Sequence, residues 1–283
     1  MSGQHPDYIT TASAIARKAG ALLMEYYGRG VKTEYKGSGT VDVVTEADRA
    51  SEKLIVESLR AAFPDHGIVG EEGTRSRAAG EFIWYVDPLD GTTNFAHGFP
   101  IFCVSLGLAS GNEVIAGVVF DPSRSELFAA ERGGGATLNG KKIHVSSAAT
   151  LGVSLLGTGF PSKKRHLNPN IYFYHQLTMK THGIRRAGSA ALDLSCVASG
   201  RYDGFWEFNL NPWDTAAGVL LVQEAGGTLT HVDGSTFDVA GSRDVLASNG
   251  LIHQELQSEM QAVMHRRGLE PLPDLLEFAK NRI

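Results

Sequence analysis

In the stretch WYVDPLDGTTNFAHG, Asp87 and Asp90 stand three positions apart, and Gly91, Thr92, Thr93 and Asn94 follow at once. Two carboxylates held that close repel each other, and each raises the pKa of the other unless a positive charge lies between them. A hard dication such as Mg²⁺ suits the pair, because it takes carboxylate and carbonyl oxygens. Gly91 would let the backbone approach a ligand closely. A helix starting there would turn its free N–H groups toward an anion, and a phosphate would fit. Each part also has a plainer account. A D-x-x-D sequence is a common polar turn, and a threonine after it can simply cap a helix.

Other acidic positions surround this stretch in the chain. Glu71 and Glu72 lie between glycines in GIVGEEG, which could equally be an exposed acidic loop. Asp214, in NPWDTAAG, falls in the first turn of a helix beginning near Pro212, where an aspartate also matches the helix dipole. Thr45 and Asp48 have the spacing of a capping box. The set is rich in oxygen and poor in histidine, which fits Mg²⁺ rather than zinc. His97 is the nearest histidine and reads as a loop or core residue. Cys103 and Cys196, the two cysteines, sit in apolar surroundings and read as buried thiols of a reducing compartment. RGGGATLNG lacks the Lys-Ser/Thr of a phosphate cradle and reads as structural. Lys163, Lys164 and Arg165 read as a solvated turn that could touch an anion.

Composition bounds the rest. The chain has 283 residues, 42% of them hydrophobic, and a net charge of −5. Those values describe a folded globular protein of one large or two ordinary domains and argue against broad nucleic-acid binding. They also imply that an anionic substrate would need a cation to reverse the local charge. No apolar run is long enough for a membrane span. The opening residues lack the basic region and apolar core of a secretory signal, so a cytoplasmic location is expected.

The elements that would position these residues follow from periodicity. Apolar spacing predicts helices over residues 6–27 and from Thr45 to Pro64. Strands are expected at 68–69, 82–86, 102–108, 114–120 and 126–130, the later ones antiparallel, with Pro88 ending the strand before the aspartates. Asn139–Gly140 predicts a hairpin turn. Beyond about residue 150, strands (GVSLLGTG, DGFWEF, GTLTHV, DVLASN) alternate with helices over 171–181, 188–198, 212–225 and 251–266. The alternation predicts a second, α/β unit. The chain is thus divided into halves, 1–147 and 148–283.

GEE, then DPLDGTTNF, then WDTAAG and EAGG, in that order and spacing, resemble the inositol monophosphatase family of Mg²⁺-dependent, lithium-sensitive phosphatases. The resemblance covers the chain from the Asp48 region to the C-terminal helix, leaving only the tail GLEPLPDLLEFAKNRI apart. It implies an α/β (α+β) fold, layered α/β/α/β/α, with the site between the halves, and a homodimer. By the same resemblance, Glu71, Asp87 and the Leu89 carbonyl hold one Mg²⁺, and Asp87, Asp90 and Asp214 another, for two or three ions in all. Glu71 and Thr92 orient and activate the attacking water, with Asp48 tuning the Thr92 hydroxyl. Asp90, Gly91, Thr92, Gly188, Ser189, Ala190, Glu207 and Asp214 line the substrate. Lys36 matches a basic residue near the metals. The implied reaction is hydrolysis of myo-inositol monophosphate. The alternatives are histidinol phosphate, fructose 1,6-bisphosphate or 3′-phosphoadenosine 5′-phosphate as substrate, an additional regulatory protein-binding role, or plain cation binding without turnover.

Overall fold

The computed structural model describes residues 7–29, 33–35, 43–76, 80–160, 168–241 and 243–280. Lys36, Lys163, Lys164 and Arg165 lie outside them. In chain order the first half gives α1 (Tyr8–Tyr26), β1 (Thr33–Tyr35), β2 (Val43–Thr45), α2 (Glu46–Ala62), β3 (Gly67–Gly70), β4 (Arg75–Ser76), β5 (Phe82–Asp90), α3 (Thr92–Ala96), β6 (Cys103–Ser110), β7 (Glu113–Asp121), β8 (Glu126–Glu131), β9 (Gly135–Leu138) and β10 (Lys141–Lys142). The second half gives β11 (Leu155–Thr158), α4 (Asn170–Thr178), β12 (Gly183–Arg185), α5 (Ala190–Ala198), β13 (Gly204–Phe208), α6 (Pro212–Glu224), β14 (Thr228–Thr230), β15 (Asp244–Ser248), α7 (His253–Met264) and α8 (Leu275–Lys280).

The larger sheet runs β10-β9-β8-β7-β6-β5-β3-β4 and is antiparallel except where β3 meets β5. The smaller runs β12-β11-β13-β15-β14, with β11 parallel to both its neighbours. Three apolar clusters bind the layers. Ile15, Leu23, Ile55 and Leu59 seal α1 and α2 onto Trp84, Val104 and Val118 of the large sheet. Leu194, Val197, Leu220 and Leu221 place α5 and α6 between the two sheets. Phe173, Leu177, Leu256 and Met260 close α4 and α7 over the far face of the small sheet. The fold is α/β, in five layers α/β/α/β/α. Among the described residues no helix is long and apolar enough to cross a membrane.

α6 lies unusually close to the large sheet. Gly107 of β6 pairs with Gly117 of β7, and a Cβ on them would stand 2.5 Å from Ala216 Cβ and 2.9 Å from the Ala217 carbonyl oxygen. Two absent side chains therefore make the flat bed on which the Ala216–Ala217 pair rests. On the other side, a Cβ at Gly218 would meet Leu194 of α5 at 2.6 Å.

Several boundaries differ from the periodicity. β5 runs through Pro88 to Asp90 instead of ending at the proline. The register shifts between Asp87 and Asp90, and pairing resumes at Asp90–Cys103, so Pro88 occupies an irregularity where no ladder N–H is needed. α5 begins at Ala190, not Gly188, because Gly188 is left-handed at φ +90° and Ser189 is an extended N-cap. α4 stops at Thr178, α7 spans Leu251–Arg266 only from His253 to Met264, and the tail carries α8. Cys103 is buried, but Cys196 is partly exposed. His97 is exposed at the end of α3. Gly133 and Gly135 of the glycine-rich loop donate to the Glu224 carboxylate, a structural use.

An aromatic group gathers where α2 gives way to β3. His66 stacks at 5.0 Å on Phe63 and 4.8 Å on Phe82, and its Nδ1 accepts the Trp84 indole N–H at 3.1 Å. Burial pushes the imidazole below its ordinary 6.5. The unfolded chain then takes up a proton near pH 6.5 that the folded protein resists. The neutral ring's contribution is complete above pH 6.5 and is lost as pH falls through the lower folded value. His66→Phe should therefore flatten the loss of urea midpoint between pH 7.5 and 5 relative to wild type. Identical slopes in the two proteins would refute this assignment.

Candidate active site

One face of α2 organises the acidic loops. Asp48, Ser51 and Glu52, at the i, i+3, i+4 spacing of neighbours on a helix, are buried. Asp48 divides its oxygens. Oδ2 accepts the Thr45 N–H at 2.8 Å and completes the capping box, while Oδ1 lies 3.0 Å from the Thr92 hydroxyl. The capping and Thr92 roles thus coexist on different atoms. Burial raises the Asp48 carboxyl to about 6. The Ser51 hydroxyl donates to the Pro88 carbonyl at 2.8 Å and fixes the D-P-L-D turn. The Glu52 carboxylate accepts the Glu72 N–H at 2.8 Å, the Thr74 N–H at 3.1 Å and the Thr74 hydroxyl at 2.6 Å. It thereby holds the loop that carries Glu71, and Gly70 leaves it room, since a Cβ there would be 2.5 Å from Oε2. The Glu71 N–H donates to the Val86 carbonyl at 3.1 Å, which brings Glu71 beside Asp87.

Asp87 is 1% exposed. Burial, then the charges of Glu71, Asp90 and Asp214, push its carboxyl well above the ordinary range, and the Leu89 N–H on Oδ1 at 3.1 Å opposes this. Asp90 is half-buried, and its Oδ2 accepts the Ser189 hydroxyl at 2.7 Å and the Ala191 N–H at 2.8 Å. Burial raises it too, against those hydrogen bonds. Asp214, also half-buried, spends Oδ2 on the Asn211 N–H at 2.6 Å. Burial and then the Glu71 charge raise it. The Leu89 carbonyl and Asp48 both lie 3.0 Å from the Thr92 hydroxyl, whose single proton favours the charged acceptor. Gly91, at φ +94°, is the left-handed N-cap of α3, and a Cβ there would stand 2.7 Å from the Ile101 carbonyl oxygen.

The second half supplies the opposite wall. Gly188, Ser189 and Ala190 lead into α5 over Asp90. Glu207 packs against Gly159, where a Cβ would be 2.0 Å from the carboxyl carbon. Burial, then the Asp90 charge, raise Glu207 to about 8, with Arg186 opposing. The structure so brings Glu71, Asp90 and Asp214 into electrostatic range of Asp87, and Glu207 into range of Asp90 and Asp214, and gives Thr92 two partners. Residue types alone did not single out Ser51, Glu52, Asn94 or Asp193. Asp193 is buried with neither carboxylate oxygen hydrogen-bonded, and burial followed by Glu207 raises it.

Among the described residues no three His, Cys, Asp or Glu side chains form a ready-made metal cage. Asp87 Oδ1, Asp90 Oδ2 and Asp214 Oδ2 each accept from nearby N–H or O–H groups. A buried carboxylate facing three more is a state that a hard dication relieves, and an ion held by few protein oxygens would keep waters, as Mg²⁺ does. The donor set fits such an ion.

The model of the Inositol monophosphatase family matches residues 5–266. The chain belongs to this family. An inositol-1-monophosphatase of Synechocystis sp. is 46% identical over 256 residues, covering 90% of this chain and 88% of the relative. A Pseudomonas aeruginosa protein named Nus factor SuhB is 47% identical over 233 residues, covering 80% and 86%. Among solved structures, the Anabaena inositol monophosphatase superposes with a TM-score of 0.80 at 41% identity, covering 94% of this chain and 96% of that one. The Bartonella henselae extragenic suppressor protein suhB does so with a TM-score of 0.84 at 40% identity, covering 89% and 97%. This inositol monophosphatase family member is a phosphoric monoester hydrolase.

If Glu52 is the brace of the Glu71 loop, Glu52→Ala should cost about 2–3 kcal/mol in denaturant unfolding, the scale of hydrogen bonds to a charged group. It should also lower turnover. Glu57→Ala, on the exposed face of the same helix, should do neither. Equal effects of the two would remove Glu52 from this role.

Proposed function

We propose that the chain hydrolyses a small phosphorylated polyol, most simply myo-inositol monophosphate, with Mg²⁺ as cofactor. The observation that carries the reading is Asp87, a buried carboxylate facing Glu71, Asp90 and Asp214. In this reading Glu71, Asp87, the Leu89 carbonyl, Asp90 and Asp214 hold two or three ions, where the first half (1–147) meets the second (148–283). Bound there, the ions neutralise the phosphoryl oxygens, acidify water and stabilise the departing alkoxide.

The chain's own groups do the rest. The Thr92 hydroxyl, donating to Asp48, keeps its lone pairs toward the site and with Glu71 orients the attacking water. Asp48 is ionised above about pH 6 and is then the stronger acceptor, so it holds Thr92 in that orientation at neutral pH. Asp90 anchors the Ser189–Ala191 segment, whose backbone, with Gly91 and Gly188, borders the substrate. Glu207 accepts a hydroxyl of the leaving alcohol, which favours a polyol over a nucleotide or an aliphatic ester. Homodimer formation, a cytoplasmic location and lithium inhibition belong to the same reading.

A protein-binding role beside hydrolysis draws on one observation, the similarity to a relative named Nus factor SuhB. It predicts partners that remain bound when Asp87→Asn has removed turnover.

Phosphate release from inositol 1-phosphate, histidinol phosphate, fructose 1,6-bisphosphate, 3′-phosphoadenosine 5′-phosphate and β-glycerophosphate tests the substrate. Release should need Mg²⁺, fall with EDTA and Li⁺, and favour inositol 1-phosphate. Asp87→Asn and Asp214→Asn should lose more than the roughly 10–100-fold typical of residues one step removed from a metal. Thr92→Ala should cut kcat far more than it raises KM. Near-normal rates in either aspartate variant would sink the metal assignment.

Stability gives an independent check. The raised carboxyls keep protons that the unfolded chain releases near pH 4, so without cation stability falls as pH rises through the folded values. A cation removes that penalty. The Mg²⁺-induced rise in Tm should therefore be larger at pH 8 than at pH 5, and a pH-independent rise would contradict a carboxylate site.

A further inference from the structure

Asn94 sits half-buried in α3, and its amide reaches out of the first half of the chain. Nδ2 donates to the Ile101 carbonyl at 2.8 Å and to the Ala187 carbonyl at 2.9 Å, with the Gly188 carbonyl at 3.4 Å. An amide nitrogen carries two hydrogens. One is spent on the turn after α3, the other on the strand-to-helix segment that enters α5. Gly188 is left-handed at φ +90°, and a Cβ there would meet Arg186 Nη1 at 2.5 Å and Asn94 Nδ2 at 3.1 Å. The peptide is thus pressed between the Arg186 guanidinium and the Asn94 amide.

The residues immediately following are the ones that grip Asp90, through the Ser189 hydroxyl and the Ala191 N–H. Two side chains four positions apart in one motif therefore hold consecutive parts of one segment. Asp90 accepts from residues 189 and 191. Asn94 donates to residue 187 and its neighbour. With Asp90 alone, the peptide ahead of α5 could tilt away and loosen the first turn that Asp90 grips.

We propose that Asn94 is a positioning residue that sets substrate selectivity, its amide holding the Gly188–Ala190 edge of the site against Asp90 at the spacing a polyol leaving group needs. This rests on the polyol phosphate reading above. Asn94 hydrogen-bonds to none of Asp87, Asp214 and Thr92, so the phosphate end is expected to keep its arrangement when Asn94 is changed. The loss should fall on substrates whose alcohol reaches the Gly188–Ala190 edge, and spare a short alcohol that does not.

Asn94→Asp tests this sharply. It keeps the shape but replaces the Nδ2 amide nitrogen and its two N–H donors with one carboxylate oxygen that faces the Ile101 and Ala187 carbonyl oxygens. Leaving these half-buried carbonyls without their donors is a cost on the scale of a ten-fold change in an equilibrium. For inositol 1-phosphate, KM should rise about ten-fold or more with kcat within about three-fold. For β-glycerophosphate, KM should stay within about three-fold. Asn94→Ala, which removes the donors without adding repulsion, should shift the same ratio in the same direction and covers the case in which the aspartate fails to fold. Hydrogen exchange at the Ala191 amide gives a readout that needs no turnover, and it should quicken about ten-fold in either variant. A parallel change for both substrates, or an unchanged Ala191 exchange rate, overturns the proposal. A wild type that cleaves neither phosphate overturns the polyol reading instead, and the exchange measurement then still decides whether Asn94 holds the segment.

Discussion

Like charges repel, and this fold nevertheless holds Glu71, Asp87, Asp90 and Asp214 in one another's field. Everything else in the first half can be read as the means of doing so. Three of the carboxylates are half-committed: Leu89 N–H takes one oxygen of Asp87, Ser189 and Ala191 take one of Asp90, and Asn211 N–H takes one of Asp214. A hydrogen bond from a neighbouring amide restrains the side chain and offsets part of the repulsion. The burial of α2 against the sheet supplies the remaining restraint, because Asp48, Ser51 and Glu52 project from it toward the D-P-L-D turn, Thr92 and the Glu71 loop.

The halves of the chain meet through polar contacts that differ in kind. Arg75 lies 4.9 Å over the Trp213 ring, joining the Glu71 loop to the residue before Asp214. Arg132 donates to Gln223 at 2.9 Å, and Arg201 forks onto Glu126 at 2.5 and 2.7 Å. The cation–π contact lies beside the acidic cluster, since Trp213 precedes Asp214, whereas the Arg132–Gln223 bond lies at the far end of α6. The arginine–glutamate pair lies on the exposed flank, where it contributes little to stability.

Much of the site was legible in the sequence because its residues are local. Asp87, Asp90, Gly91 and Thr92 are consecutive enough to show their relation in one line, and the Thr45–Asp48 spacing shows the capping box. The partners that brace them are not local. Ser51 meets Pro88 across 37 positions, Glu52 meets Glu72 across 20, and Asn94 meets Ala187 across 93. No periodicity marks a serine or glutamate on the buried face of an amphipathic helix as anything but a polar intruder. Pro88 misled for the opposite reason. Its local rule, that proline ends a strand, gives way where the partner strand tolerates a shifted register, and only pairing can reveal that.

The Gly107–Gly117 pair has a consequence for how this site could drift. Asp214 rides on the first turn of α6, and the height of α6 above the sheet is set by the missing side chains beneath Ala216 and Ala217. Depth, in other words, is encoded several residues from any acidic group, by atoms that are not there. A methyl added at either glycine would lift one wall of the cleft as a rigid plank, with the Asp214 chemistry intact but out of reach. The two strands are thus a spacer whose thickness calibrates the gap, and divergence at that bed would shift Asp214 without touching a single acidic residue.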